Sequence, residues 1–215
     1  MGALPSLQPF DKTRAMVNKT QQGRLILASK SPRRRYLLTQ AGLKFDVLPS
    51  GFDESSVPFN DPADYVRTLS REKAADIAQN HPASWVIGAD TIVIIGAQML
   101  GKPKGRDAAR AMLSRLSGQT HQVFTGYTLC CAEANRWLTD VARTDVTFKA
   151  LSADEIEWYI HTDEPFDKAG AYAIQGLGTF LVKSVNGSYT NVVGLPVCEV
   201  IELLIREGVV QIART

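Results

Sequence analysis

The sequence predicts a single α/β domain with a mixed central sheet flanked by helices, and three observations carry that reading. Short apolar runs lead directly into capped helical segments, the pattern of strand-to-helix crossovers. Other apolar runs are separated only by brief Gly-bearing turns, the pattern of hairpins and of antiparallel pairing. The chain has 215 residues, 45% of them hydrophobic and 21% charged. That length buries roughly 70% of its unfolded surface in one core, without disulfide or metal staples.

Taken in order, residues 1–22 lack an apolar run and any helical or strand period, so 1–23 read as a flexible extension ahead of a domain at 24–215. Arg24-Leu25-Ile26-Leu27-Ala28 reads as a buried strand. Ser31 as N-cap, Pro32 as first helical residue and Gly42 as C-terminal cap bracket a helix over 32–41. Residues 44–50 read as a strand and 52–60 as an acidic loop. Asp61-Pro62 opens a helix to 79, with Tyr65, Leu69 and Ile77 on its buried side. A strand over 85–89 is expected to end at Asp90-Thr91, with 92–95 and 98–100 forming a hairpin about Gly96-Ala97. A helix over 106–116 closes at Gly118, and long strands follow at 122–131 and 137–148. Ser152-Ala153-Asp154-Glu155 is a capping box for a helix to 161. Residues 162–170 read as a charged loop, 171–174 and 180–185 as strands, and Pro196 to Gly208 brackets a last helix.

Composition narrows the function. Lys plus Arg is 24 and Asp plus Glu 22, a net +2, which weighs against a dedicated nucleic-acid binder. The longest apolar run, at 92–95, is far short of a membrane span. Three cysteines without CxxC spacing make neither a disulfide framework nor a zinc site, which points to a reducing, cytoplasmic compartment.

The strongest local signal is Ser29-Lys30-Ser31-Pro32-Arg33-Arg34 between strand and helix. A helix N-terminus offers unpaired N–H groups and a positive dipole end, and guanidiniums beside it grip phosphate oxygens in bidentate fashion. The alternative for the same residues is a capped helix whose arginines are simply solvated. Asp90-Thr91 puts a carboxylate at an expected strand end, where α/β sheets bind ligands, or else opens a turn. Glu54, Lys73 and Lys102 read individually as a surface acid, a helix-face lysine and a loop lysine. Cys130 and Cys131 read as core residues on opposite strand faces, and 163–168 as a solvated turn. Basic groups for phosphate and acids for a hard cation are the parts of nucleotide or phosphoryl-transfer chemistry.

Leu27-Ala28-Ser29-Lys30-Ser31-Pro32-Arg33-Arg34 resembles the opening signature of the Maf family of nucleotide pyrophosphatases. The resemblance continues through Arg71-Glu72-Lys73-Ala74, Gly88-Ala89-Asp90-Thr91, Lys102-Pro103 and Ser117-Gly118-Gln119-Thr120-His121. It extends to Asp163-Glu164-Pro165, Asp167-Lys168-Ala169-Gly170-Ala171-Tyr172 and Ile174-Gln175-Gly176, and spans about 24–207. It implies a Maf or inosine triphosphatase-like fold, two lobes about a deep nucleotide-binding cleft, and hydrolysis of a nucleoside triphosphate to monophosphate and pyrophosphate. By the same resemblance Asp90 is the proton acceptor, and Glu54 with Asp90 holds a divalent cation, Mg²⁺ or alternatively Mn²⁺. Arg34, Lys73 and Lys102 would hold the triphosphate, and Ser29 and Ser31 the phosphate-binding turn. Arg33, Thr91 and Gln175 resemble the branch acting on dTTP and UTP; the 7-methyl-GTP branch typically has Trp, Gln and Glu there. A homodimer is implied, and a narrower resemblance implies fusion to a methyltransferase-like domain. Two other readings stay open: a pyrophosphatase for another base, and a nucleotide-binding regulatory module without turnover.

Overall fold

The computed structural model describes residues 17–18 and 24–212. The extension expected at 1–23 lies outside the described residues except for Val17–Asn18 (β1), whose backbone pairs antiparallel with Val210–Gln211 (β9).

A seven-stranded mixed sheet forms the centre. Leu25–Leu27 (β2) lies parallel to Asp46–Val47 (β3) on one side and to Trp85–Ile95 (β4) on the other. Beyond β4 the pairing is antiparallel through Thr120–Cys131 (β6), Arg136–Phe148 (β7) and Val182–Asn186 (β8). Gln98–Leu100 (β5) folds back on the end of β4. The mixture of crossovers and hairpins is thus present as expected. The segment at 171–174 is not a strand; it leaves the 3-10 turn Ala169–Ala171 and leads to the 3-10 helix Gly176–Leu181. Two features have no counterpart in the sequence reading: the helix Tyr189–Val193 (α5) and the pairing of β1 with β9.

Strand β4 corrects one expectation with consequences for the site. It does not stop at Asp90 but continues unbroken for 11 residues, because Gly88 through Ile94 pair residue by residue with β6. Its other edge is shared. β2 pairs with it only up to Ile87, and β5 begins only at Val93. Between those points no described strand occupies the edge, and a cleft opens there.

Helix Pro62–Ala78 (α2) packs across the face bearing Gly88 and Gly126. A Cβ at Gly88 would lie 2.2 Å from the Ser70 carbonyl oxygen, and one at Gly126 would lie 2.0 Å from that of Val66. Real side chains never approach so closely, so both glycines are required for this contact. The buried side of α2 is Val66, Leu69, Ser70, Ala74 and Ala78; Tyr65 and Ile77 are only half-buried. Small residues let the helix approach the sheet.

The opposite face carries two helix groups. Pro32–Gln40 (α1) and Val197–Arg206 (α6) bury Leu37, Leu38, Val200 and Leu204 over the β2 end. Arg106–Leu116 (α3) and Ala153–Ile160 (α4) bury Leu113, Leu116, Tyr159 and Ile160 over the far end of β4 and β6. The cleft opens where no described strand covers the edge of β4, between the β2–α1 turn and β5, with α2 on one side. Cys130 and Cys131 pack into cores on opposite faces, as strand alternation requires. No helix among the described residues is long and apolar enough to cross a membrane.

Candidate active site

The cleft encloses about 730 Å³ and is lined by the β2–α1 turn, α2, the open stretch of β4 with the end of β5, and the segments at 167–175 and 192–194. Its centre is an ammonium between two carboxylates. Lys73 Nζ lies 2.6 Å from Asp90 Oδ1 and 2.6 Å from Glu54 Oε1. The Lys73 and Asp90 side chains are each 12% exposed, whereas Glu54 is 56% exposed at the rim. Lys73 is therefore not the exposed helix lysine its neighbours suggest. Asp90 projects from mid-strand onto the α2 face, the same face as Gly88, and the close packing of α2 brings Lys73 within reach. Asp90 Oδ2 makes no hydrogen bond among the described residues and remains able to accept one.

Glu54 reaches the site from the loop after β3. Asp76, one turn beyond Lys73 on α2, accepts hydrogen bonds from Ser50 Oγ at 2.7 Å and from the Gly51 N–H at 2.8 Å. One helix thus anchors the acidic loop at two points. Tyr65, also on α2, lines the cleft, and burial with the Asp90 and Glu54 carboxylates raises its phenol above the ordinary value.

The β2–α1 turn forms a second wall. Ser31 caps α1 by accepting from the Arg34 N–H, and Ser29 Oγ accepts from the Ser31 N–H at 3.2 Å. Arg34 is 9% exposed, and its guanidinium is largely spent on the protein. It donates to the Gly194 carbonyl at 2.7 Å, the Ala89 carbonyl at 2.8 Å, Thr91 Oγ1 at 2.9 Å and Ser29 Oγ at 3.2 Å. The Ala89 carbonyl lies on the stretch of β4 edge left without a strand, so Arg34 supplies the donor that a neighbouring strand would have given. Of its five N–H groups, four are used in this way. Burial lowers its pKa, offset in part by the Asp90 carboxylate.

The remaining expected residues also line the cleft. Lys102 is exposed and has no ion-pair partner among the described residues. Arg33 reaches across to Asp167 at 3.0 Å. Thr91 Oγ1 shares a 2.9 Å hydrogen bond with Thr125 Oγ1. The Gln175 side chain makes no hydrogen bond among the described residues. The 162–170 segment is less solvated than its charges suggest: Lys168 donates to the Glu164 carbonyl at 2.6 Å, and Glu164 binds backbone N–H groups. Sequence reasoning missed Tyr65 and Asp76; the helical spacing of both from Lys73 is the signal that marks them.

No cluster of three or more His, Cys, Asp or Glu side chains suited to a metal occurs among the described residues. The donor set at the cleft is two carboxylates. That suits a hard cation such as Mg²⁺, which takes one or two carboxylates and completes its shell with water and substrate phosphate.

Comparison with known proteins gives this geometry a lineage. A family model described as Maf-like protein matches residues 24–207. A dTTP/UTP pyrophosphatase of Syntrophus aciditrophicus is 50% identical over 181 residues, 84% of this chain and 88% of that protein. One from Myxococcus xanthus is 52% identical over 86% of this chain and 92% of its own length. One from Geobacter sulfurreducens is 47% identical over 87% of this chain and 98% of its own. With the cleft, its β2–α1 turn and its acid–lysine–acid centre all inside the matched span, the chain belongs to the Maf family.

Proposed function

We propose that this protein hydrolyses dTTP and UTP to the monophosphate and pyrophosphate. The observation that carries the reading is Lys73 Nζ held 2.6 Å from both Glu54 and Asp90, beside the N-terminus of α1. It is joined by close similarity to proteins named dTTP/UTP pyrophosphatase.

In this reading the α1 N-terminus, with Ser29 and Ser31, receives phosphate oxygens through its dipole and donors. Lys102, exposed at the rim, and Lys73, at the centre, balance the charge that develops on the pyrophosphate leaving group. Arg34 keeps the turn against β4 and has one N–H left for a phosphate oxygen. Glu54 and Asp90 would hold a divalent cation, Mg²⁺ or Mn²⁺, whose chemistry there is to neutralise phosphate charge and to orient water. Asp90 accepts the proton of the attacking water on Oδ2, the oxygen without a hydrogen bond among the described residues. Arg33, Thr91 and Gln175 select the base. The Gln175 amide both donates and accepts, which matches the O4 and N3–H edge of uracil or thymine.

The test is pyrophosphate release from a panel of nucleoside triphosphates, with and without Mg²⁺. UTP and dTTP should lead the panel. Preference for 7-methyl-GTP would assign another base, and tight binding of UTP without turnover would make the cleft a regulatory site.

A further inference from the structure

Gln175 sits in a segment held by a carboxylate that the reading above leaves unused. Glu164 Oε1 accepts from the Tyr159 hydroxyl and from the Gly178 N–H, each at 2.8 Å, while Oε2 accepts from the Leu177 N–H at 2.9 Å. The Tyr159 hydroxyl in turn accepts from the Ala173 N–H at 3.1 Å. Both flanks of Gln175, at Ala173 and at Leu177 with Gly178, therefore end on one carboxylate–phenol pair.

The pair is built into the core. Tyr159 is fully buried, and burial together with the adjacent Glu164 carboxylate raises its phenol well above the ordinary value, so it stays a donor. The packing leaves no slack. A Cβ at Gly176 would lie 2.6 Å from Glu164 Oε2, and one at Gly178 would lie 2.6 Å from the Tyr159 oxygen. Gly176 also has φ +71°, a conformation other residues resist. Between these anchors the Gln175 amide makes no hydrogen bond among the described residues and lines the cleft.

We propose that Glu164, acting with Tyr159, is the positioning residue that sets the Gln175 amide against the pyrimidine edge. Base selectivity then depends on a side chain that touches no substrate. The proposal rests on Gln175 as the base-reading group. Three donors converge on Glu164, and only an ionised carboxylate accepts them all; an amide there turns an N–H₂ group toward one of them. Hydrogen bonds weaken steeply with angle, so a small displacement of Gln175 erases discrimination before it disturbs the phosphates.

The experiment compares kcat/KM for UTP and GTP in wild type, Gln175→Ala, Glu164→Ala, Glu164→Gln and the double variant Glu164→Ala with Gln175→Ala. Inhibition by inorganic tripolyphosphate serves as the base-free probe. Glu164→Ala should lower the UTP-to-GTP ratio by about tenfold, as Gln175→Ala does, with Glu164→Gln between it and wild type. Tripolyphosphate inhibition should move by less than about twofold, and the double variant should fall no further than the singles. If Glu164→Ala does not fold, Glu164→Gln and Tyr159→Phe carry the test, each with a ratio shift in the same direction. An unchanged ratio in the Glu164 variants while Gln175→Ala shifts it, or an equal loss of tripolyphosphate binding, overturns the proposal and leaves the base-reading role standing. An unchanged ratio in Gln175→Ala removes that role and the positioning proposal with it.

Discussion

Replacing Lys73 by Met perturbs the centre of the cleft directly. Its ammonium lies 2.6 Å from one oxygen of each carboxylate, so those oxygens are at most about 5.2 Å apart, twice that distance. Two unit charges at that separation repel by about 3 kcal/mol at an effective dielectric of about 20. Glu54 is 56% exposed, and solvent screening reduces the repulsion to about 1–2 kcal/mol. Asp90, only 12% exposed, also loses its charge partner, and the combined cost comes to about 3–4 kcal/mol. For a chain of this size that lowers Tm by roughly 6–15 °C. The variant leaves two carboxylates facing each other, a better cation site than the wild type offers without nucleotide. Millimolar Mn²⁺ or Mg²⁺ should therefore raise the Tm of Lys73→Met and barely move that of wild type, while UTP turnover falls at least 10²-fold. Differential scanning fluorimetry with and without the cation reads this out. A variant that melts like wild type, or that divalent cations leave unstabilised, would refute the reasoning.

Arg34→Ala leaves the Ala89 and Gly194 carbonyls without their donor and should cost about 3–5 kcal/mol by chemical denaturation, together with turnover. Arg34→Lys should not rescue either, because a single ammonium cannot span the four acceptors. Gly126→Ala should push α2 and Lys73 off the sheet; a loss of about 3 kcal/mol and of UTP hydrolysis is expected, and a soluble variant with unchanged midpoint and rate contradicts that. His121, buried against Phe148 and Tyr172, is lowered by burial to about 4. Because that lies below its unfolded value of about 6.5, its stabilisation is complete above about pH 6.5 and is lost as pH falls toward 4, about 3 kcal/mol in all. Urea titrations across that window should show the decline, and His121→Phe should flatten it.

Much of this site was legible because its chemistry is local. The cap at Ser31, the proline at position 32 and the paired arginines are adjacent in sequence, and the structure keeps them together. Asp90 stands out in the sequence for a reason the fold does not honour. A polar pair after an apolar run looks like a strand end, but Asp90 sits mid-strand, tolerated there because Lys73 meets it across the packed face. That meeting depends on two glycines on different strands and small residues on α2, a tertiary agreement that no window of sequence contains. Glu164 is hidden in the sequence for the converse reason. A charged Asp-Glu-Pro turn has the composition of a solvated loop, and only the folded chain brings Tyr159 and the 177–178 backbone onto its carboxylate. The strand expected at 44–50 is present but pairs with β2 only at Asp46–Val47, and the apolar run at 171–174 pairs with no strand among the described residues.

The central question is which bond the protein breaks. Phosphorus NMR of UTP incubated with the protein and Mg²⁺, run beside Asp90→Asn, measures it. The account predicts UMP and pyrophosphate in equal amounts, with the rate reduced at least 10²-fold in a folded Asp90→Asn protein. UDP and inorganic phosphate as products, or an Asp90→Asn protein that releases pyrophosphate at the wild-type rate, would contradict it.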